Sequence, residues 1–270
     1  MKRENTFAIL LIFLFLLTSC QRVVRDTNHQ QKIIPHSKNI GIKYELAKLT
    51  NNNPQQIIEH VGYTVSYNQQ WRIPNWVAYD LTKSEALGTV PRDKNFYPDP
   101  EIKNDPVTKE DYNGVGKIGM SRGHMAPAGD MKWSETAMRE SCYMTNICPQ
   151  SSNLNNGDWK SLEEHARSWA IRYGKIYITC GPIVNEDYST IGRRIAIPKS
   201  FYKVFLRKTD NSWTAIGFIF DNVAGSKPLM TYMLPVDDVE KRTGIDFFYQ
   251  LPDSIENKIE AEYTVSDWTL

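Results

Sequence analysis

The chain has 270 residues, a formal net charge of +1, 41% hydrophobic and 11% aromatic residues. That is apolar material for one large domain or two small ones, and it excludes a wholly disordered chain or a collagen-like repeat. Near-neutrality excludes the uniformly basic surface of many nucleic-acid binders and leaves room only for a locally basic groove.

Residues 1–19 read as a signal segment outside the fold. Lys2 and Arg3 precede an unbroken apolar run of eleven, Phe7 to Leu17. That run is too short to span a bilayer and matches a signal-peptide core. It ends in Leu17-Thr18-Ser19-Cys20, which resembles the lipobox of bacterial lipoproteins. The resemblance implies cleavage before Cys20, lipid on its sulfur, and an exported protein anchored on the periplasmic or cell-surface side of a bacterial membrane. Outside the cytosol, Cys142 and Cys148 can either bridge or stay free. Cys180 reads as a buried thiol in the apolar run from Ile176, and no cysteine spacing fits a zinc site.

Residues 20–55 are polar and read as a tether, with a helical turn at Tyr44 to Leu49 and a boundary at Asn51-Asn52-Asn53-Pro54. A domain is expected over 56–270. Strands are predicted at Val61–Tyr67 and at Trp76–Leu81, the latter entered through Pro74. Arg92–Pro100, with three prolines in or beside it, and Thr108–Val115 read as loops. Gly114, Gly116 and Gly119 precede a short polar loop, Ser121 to Pro127, and a helix follows over Asp130–Arg139. Asn153–Gly157 reads as a turn before the best helix, Trp159–Ala170. Asp158 is its expected N-cap, and Trp159, Leu162, Ala166, Trp169 and Ala170 form its buried stripe. Strands are predicted at 175–179, 194–198, 202–207 and 213–220, the last so apolar that it reads as central. A short helix, Val236–Thr243, has Asp237 and Asp238 in its first turn and Lys241 and Arg242 in its last. The fold class is α+β: a mainly antiparallel central sheet flanked by helices, with one loop-helix unit carrying the polar cluster.

That cluster holds the inventory for cleaving a phosphodiester. The reaction needs a base to activate water, a means of absorbing charge at phosphorus, and relief for the departing oxygen. His124 can be the base, because a neutral imidazole is available near neutral pH. Asn155 offers a neutral carbonyl oxygen suited to Mg²⁺, which keeps most of its waters. Glu163, one turn into the following helix, can hydrogen-bond those waters. Arg167 lies four residues on and on the same face; an ordinary surface pair with Glu163 accounts for both residues equally well. Arg122 and Arg92 can meet phosphate oxygens bidentately.

The ordered set Arg92, Arg122-Gly123-His124 with Pro127 and Asp130, then Asn146, Asn155, Trp159, Leu162-Glu163 and Arg167 resembles the DNA/RNA non-specific endonucleases. These are ββα-metal (His-Me finger) nucleases. Gly62-Tyr63, Ser66-Tyr67, Pro74 to Tyr79, Asn95-Phe96, Pro149-Gln150 and Gly181-Pro182 are similar to the same family. The resemblance implies a ββα-metal catalytic unit, with His124 as general base, Asn155 as direct ligand of Mg²⁺ (or Mn²⁺), and Glu163 in the ion's water shell. It implies Arg92, Arg122 and Arg167 on the phosphates, Asn146 supporting the site, and 5′-phosphorylated products. One position departs: the family's commonest motif begins with Asp where this chain has Ser121. That bears on rate and metal affinity more than on reaction type, since a hydroxyl both donates and accepts. The expectation is an exported Mg²⁺-dependent nuclease whose partners are DNA and RNA, the membrane through its lipid, and a protein inhibitor. The alternative is a catalytically weakened lipoprotein of the same fold that binds nucleic acid or protein, for which Ser121 is the sole support. A third reading is a phosphodiesterase of narrower substrate range.

Overall fold

The computed structural model describes residues 41–269 except 224 and 226. The signal segment, Cys20 and most of the expected tether lie outside these residues. The elements in chain order are β1 (Lys48–Leu49), β2 (Gln56–Glu59), β3 (Thr64–Asn68), β4 (Ile73–Thr82), α1 (Lys83–Ala86), β5 (Met120–His124), α2 (Glu135–Ser141) and β6 (Ile147–Ser151). There follow α3 (Ser152–Asn156), α4 (Asp158–Tyr173), β7 (Lys175–Ile183), β8 (Thr190–Ile191), β9 (Ile195–Ala196), β10 (Ser200–Lys208), β11 (Trp213–Asp221), β12 (Met233–Leu234), α5 (Val236–Thr243), β13 (Ile245–Asp246) and α6 (Asp253–Ala261).

Seven strands form an antiparallel sheet in the order β12-β11-β10-β7-β4-β3-β2. Side chains alternate across its plane. Val77, Tyr79 and Leu81 of β4 and Phe201 and Phe205 of β10 join the core under α4, which contributes Trp159, Leu162 and Trp169. Trp76, Ala78, Tyr202, Val204 and Leu206 point the other way, into a second core with Val236 and Val239 of α5 and Ile259 of α6. The sheet is covered on both faces, which is why β4, β7 and β10 read as long apolar runs. The α+β architecture expected from the sequence is the one observed.

Several local expectations are corrected. β11 is not central, because only the two-residue β12 lies beyond it. Its apolar content reflects α5 and α6 packed on it rather than flanking strands. Pro74 does not precede β4 but sits inside it, opposite Tyr67 and beside a register shift where no ladder donor is required. The helix expected from Asp130 begins only at Glu135, with Ser134 as N-cap accepting from Ala137 N. Asp158 is the first residue of α4 rather than its cap; its carboxylate accepts from the Tyr232 hydroxyl at 2.6 Å. The loop expected at 108–115 holds a 3-10 turn, Lys109–Tyr112, and a second begins at Val115.

The tether boundary also moves. Residues from Ile42 onward belong to the compact unit. Tyr44 packs its ring on Tyr177 and Trp213 and Ala47 is buried; the expected turn is confined to a single one closed by Leu46 N donating to Lys43 O at 3.1 Å, and Lys48–Leu49 pair with Ile245–Asp246 as strands. Tyr44, Leu46, Ala47 and Leu49 supply the apolar contacts that dock this otherwise polar stretch. Cys142, Cys148 and Cys180 are all buried, free thiols.

Candidate active site

Apart from the large sheet, β5 and β6 form a two-stranded antiparallel ladder that leads through α3 into α4. The residues expected in a loop at 121–124 are therefore strand. Ser121 faces Gln150, Gly123 faces Cys148 and His124 faces Ile147. Gly123 is required sterically, since a Cβ there would lie 2.7 Å from Gln150 Cβ.

The backbone leaving His124 is gripped from three sides. Asn146 Oδ1 accepts from Ala126 N at 2.9 Å, and its Nδ2 donates to Ala126 O at 2.8 Å and to Ser141 O at 2.7 Å. Trp159 Nε1 donates to the His124 carbonyl at 3.3 Å. The Met125 carbonyl accepts from Lys203 Nζ at 3.4 Å and from the Cys180 thiol at 3.2 Å. Asn146 is fully buried, with its amide spent on this turn. It is a positioning residue beneath the site and not one that touches substrate.

His124 is only 7% exposed, and its Nε2 has no hydrogen-bond partner. Burial, seconded by the Arg92 guanidinium, pushes its pKa down to about 3. The ring is neutral at pH 7 and its Nε2 can accept a proton. Phe96 packs 5.4 Å from the imidazole, and the Arg122 guanidinium lies over the same Phe96 ring at 4.8 Å. Phe96 thus holds the arginine and the histidine on one side of the ladder.

Asn155 is held by the residue that departs from the family motif. Its Nδ2 donates to Ser121 Oγ at 3.0 Å, and that hydroxyl donates to Gln150 O at 3.2 Å. Both polar functions of Ser121 are used. Asn155 Oδ1 is left without a hydrogen bond among the described residues, which fits a neutral oxygen donor to a hard cation.

Around them stand buried and half-buried charges. Arg167 Nη1 donates to Asp130 Oδ1 at 2.7 Å, and the Tyr79 hydroxyl donates to Asp130 Oδ2 at 2.8 Å. Arg167 therefore pairs with Asp130 and not with Glu163, as an ordinary surface pair would. Burial raises the Asp130 carboxyl, against the pull of Arg167. Glu163 is half-buried and is raised to about 7, chiefly by burial; Lys203, Arg167 and Arg92 act in the opposite sense. Arg92 is exposed in its proline-flanked loop, yet its field reaches both His124 and Glu163. Sequence reasoning missed Lys203, fully buried with its ammonium 4.5 Å above the Trp159 ring. Its signal was a lone cation inside the apolar run Phe201–Leu206, at a position that strand alternation turns toward α4.

The structure thus brings His124, Arg122, Arg92, Asn155, Glu163 and Arg167 into one neighbourhood of the β5-β6-α4 unit and sets Asn146 behind it. The family model for DNA/RNA non-specific endonucleases matches residues 45–254. "Nuclease EXOG, mitochondrial" of Xenopus laevis is 36% identical over 75% of this chain and 60% of its own length, and its Homo sapiens counterpart is 35% identical over 71% and 56%. The chain thus spans less than two thirds of these relatives. A nuclease of Serratia marcescens is 31% identical over 76% of this chain and 79% of its own. Among solved structures, that of the EndoG/EndoGI complex superposes with a TM-score of 0.68 at 27% identity, covering 75% of this chain and 89% of that one. By sequence and by fold, the chain belongs to the DNA/RNA non-specific endonuclease family.

Proposed function

We propose that the protein is a metal-dependent endonuclease that hydrolyses phosphodiester bonds of both DNA and RNA and leaves 5′-phosphorylated ends. The observation that carries this reading is the pair formed by a neutral, unpartnered His124 Nε2 and an Asn155 whose Nδ2 is pinned to Ser121 while its oxygen has no hydrogen bond among the described residues. In the step proposed, His124 Nε2 takes a proton from water as the water oxygen bonds to phosphorus. The P–O3′ bond breaks, the phosphate stays on the 5′ carbon of the downstream nucleotide, and the 3′ oxygen leaves and takes a proton from solvent water. Arg92 and Arg122 face the phosphate oxygens, and Arg167 meets them through the nitrogens that Asp130 does not take. Asn155 Oδ1, with Glu163 acting through water, would hold Mg²⁺ (or Mn²⁺), which supplies charge neutralisation at the phosphate and the leaving oxygen. All these groups address phosphate rather than base or sugar, which supports action on both polymers. The weakened-lipoprotein alternative draws no support from Ser121, because its hydroxyl already orients Asn155.

The structural relative was solved in a complex concerned with inhibition. A protein that covers the surface around Arg92 and Arg122 is accordingly a fitting inhibitor class here; loss of cleavage with nucleic-acid binding intact would speak against that mode. On the Cys20 motif we place the protein outside the cytoplasm on a lipid anchor. Among the described residues, no helix is long and apolar enough to cross a membrane.

The purified protein should nick supercoiled plasmid and degrade RNA with Mg²⁺ and stop with chelator; intact polymers in Mg²⁺ would sink the proposal. His124→Ala should lower turnover by about 10² to 10⁴-fold while nucleic-acid binding survives. Asn155→Ala should be comparably impaired at an unchanged unfolding midpoint.

Ser121→Ala removes the acceptor for Asn155 Nδ2. Turnover or metal affinity should drop about 10- to 100-fold, the usual effect of losing a group that orients a ligand, and Ser121→Thr should recover part of it. Wild-type kinetics in Ser121→Ala would show that the hydroxyl orients nothing.

Because His124 binds a proton near pH 6.5 when unfolded but only near 3 when folded, its contribution is full above about pH 6.5 and is lost as pH falls toward 3. Between pH 6 and 4.5, wild type should lose up to about 1.4 kcal/mol per pH unit more than His124→Ala in denaturant melts. Parallel pH dependence of the two would contradict a buried neutral ring.

Cys20→Ser should release the protein from membranes or stall its processing. A processed variant that still sediments with membranes would rule the anchor out.

A further inference from the structure

A second group of carboxylates lies on the opposite side of the sheet, where α5 and α6 pack, and shares no residue with the β5-β6-α4 unit. Asp237 and Glu240 are three residues apart on α5 and so share a face. Glu260 approaches from α6. One carboxylate oxygen from each lies within 4.8 Å of the others. Asp237 and Glu240 are half-buried, but Glu260 is only 4% exposed. Its Oε1 is sealed from solvent and has no hydrogen-bond partner.

The surroundings supply no counter-charge. Asp246 and Glu256 add to the negative field at both Glu240 and Glu260. Lys241 on α5 is engaged by Asp238 at 3.0 Å, and Lys48 eases only Asp246. No ion pair among the described residues involves Asp237, Glu240, Asp246, Glu256 or Glu260. Glu240 is preset: its Oε1 accepts from Phe247 N at 2.7 Å, which fixes the carboxylate and leaves the other oxygen available.

A buried, unpaired carboxyl is costly in either protonation state when it lacks a partner. A bound cation would satisfy the orphaned oxygen and the two neighbouring carboxylates together. The donors are all hard oxygens, with no His or Cys among them, which points away from zinc and copper. Calcium tolerates irregular, partly bidentate carboxylate geometry and sheds water more readily than magnesium.

We propose that Asp237, Glu240 and Glu260 form a second divalent-cation site, for calcium, that ties α6 to α5. The site stands independently of the nuclease reading and of any ion at Asn155.

The test is thermal unfolding of the full chain in chelator, in Ca²⁺ and in Mg²⁺. Ca²⁺ at about a hundredfold excess over its Kd should raise Tm by about 5–10 °C. Glu260→Gln, which keeps shape and removes charge, should lose that rise, and Asn155→Ala should keep it. Should Glu260→Gln fail to fold, the half-buried Asp237→Asn decides, with the same loss expected. The proposal is overturned if wild-type Tm ignores Ca²⁺, if the rise persists in Glu260→Gln or Asp237→Asn, or if it disappears in Asn155→Ala. An equal rise with Mg²⁺ would overturn the assignment to calcium.

Discussion

One buried amide organises the candidate site. Asn146 makes three hydrogen bonds to the backbone around Ala126 and Ser141, and together they fix the turn by which the chain leaves β5. Those backbone groups are away from water and need partners. With the turn set, the His124 carbonyl meets Trp159 and the Met125 carbonyl meets Lys203 and Cys180. The imidazole is left buried, with its Nε2 lacking a hydrogen-bond partner. The large sheet, α4 and the small ladder all converge on this backbone, so His124 is positioned by regular elements of the domain. A site held to fractions of an ångström is better supported by such elements than by loops.

The electrostatics follow from the same burial. Asp130 and Arg167 pair at 2.7 Å, with Tyr79 on the remaining carboxylate oxygen. Lys203 lies close enough to act on both Asp130 and Glu163. Buried pairs of this kind add little net stability, because desolvation offsets attraction, but breaking one leaves a costly orphan. Their value here is geometric. Arg167 is anchored at the carboxylate end, and Glu163 is kept half-buried next to cations that favour its charged form. Arg92, from its proline-flanked loop, helps to keep His124 unprotonated.

What could be read in the chain and what could not divides along distance in sequence. α5 was legible at both ends, because acidic residues mark its first turn and basic residues its last. The buried stripe of α4 was legible from its period, and the family from the order and spacing of the polar residues. Contacts between distant positions left no such trace. The hydroxyl of Ser121 meets Asn155 34 positions away, and Asp130 finds Arg167 37 positions away. Without those partners, Ser121 looked like a deficit and Arg167 like half of a helix pair. β11 reads as a central strand because two-sided burial looks the same whether helices or strands supply it. Asp158 reads as a cap because an acidic residue before an apolar helix is the usual sign of one. Its actual partner, Tyr232, lies 74 positions on. Residues 42–55 were assigned to a tether on average polarity, although four apolar side chains within them suffice for docking.

The three cysteines of the domain bear on where it can fold. Burial raises the Cys142 thiol, lifts that of Cys148 well above the usual thiol range, and takes that of Cys180 to about 11. Thiols so protonated and enclosed are poor nucleophiles and exchange slowly. All three are buried and unbridged in the folded domain. A chain exported into an oxidising compartment usually gains from disulfides. Here the three thiols serve instead as buried packing groups.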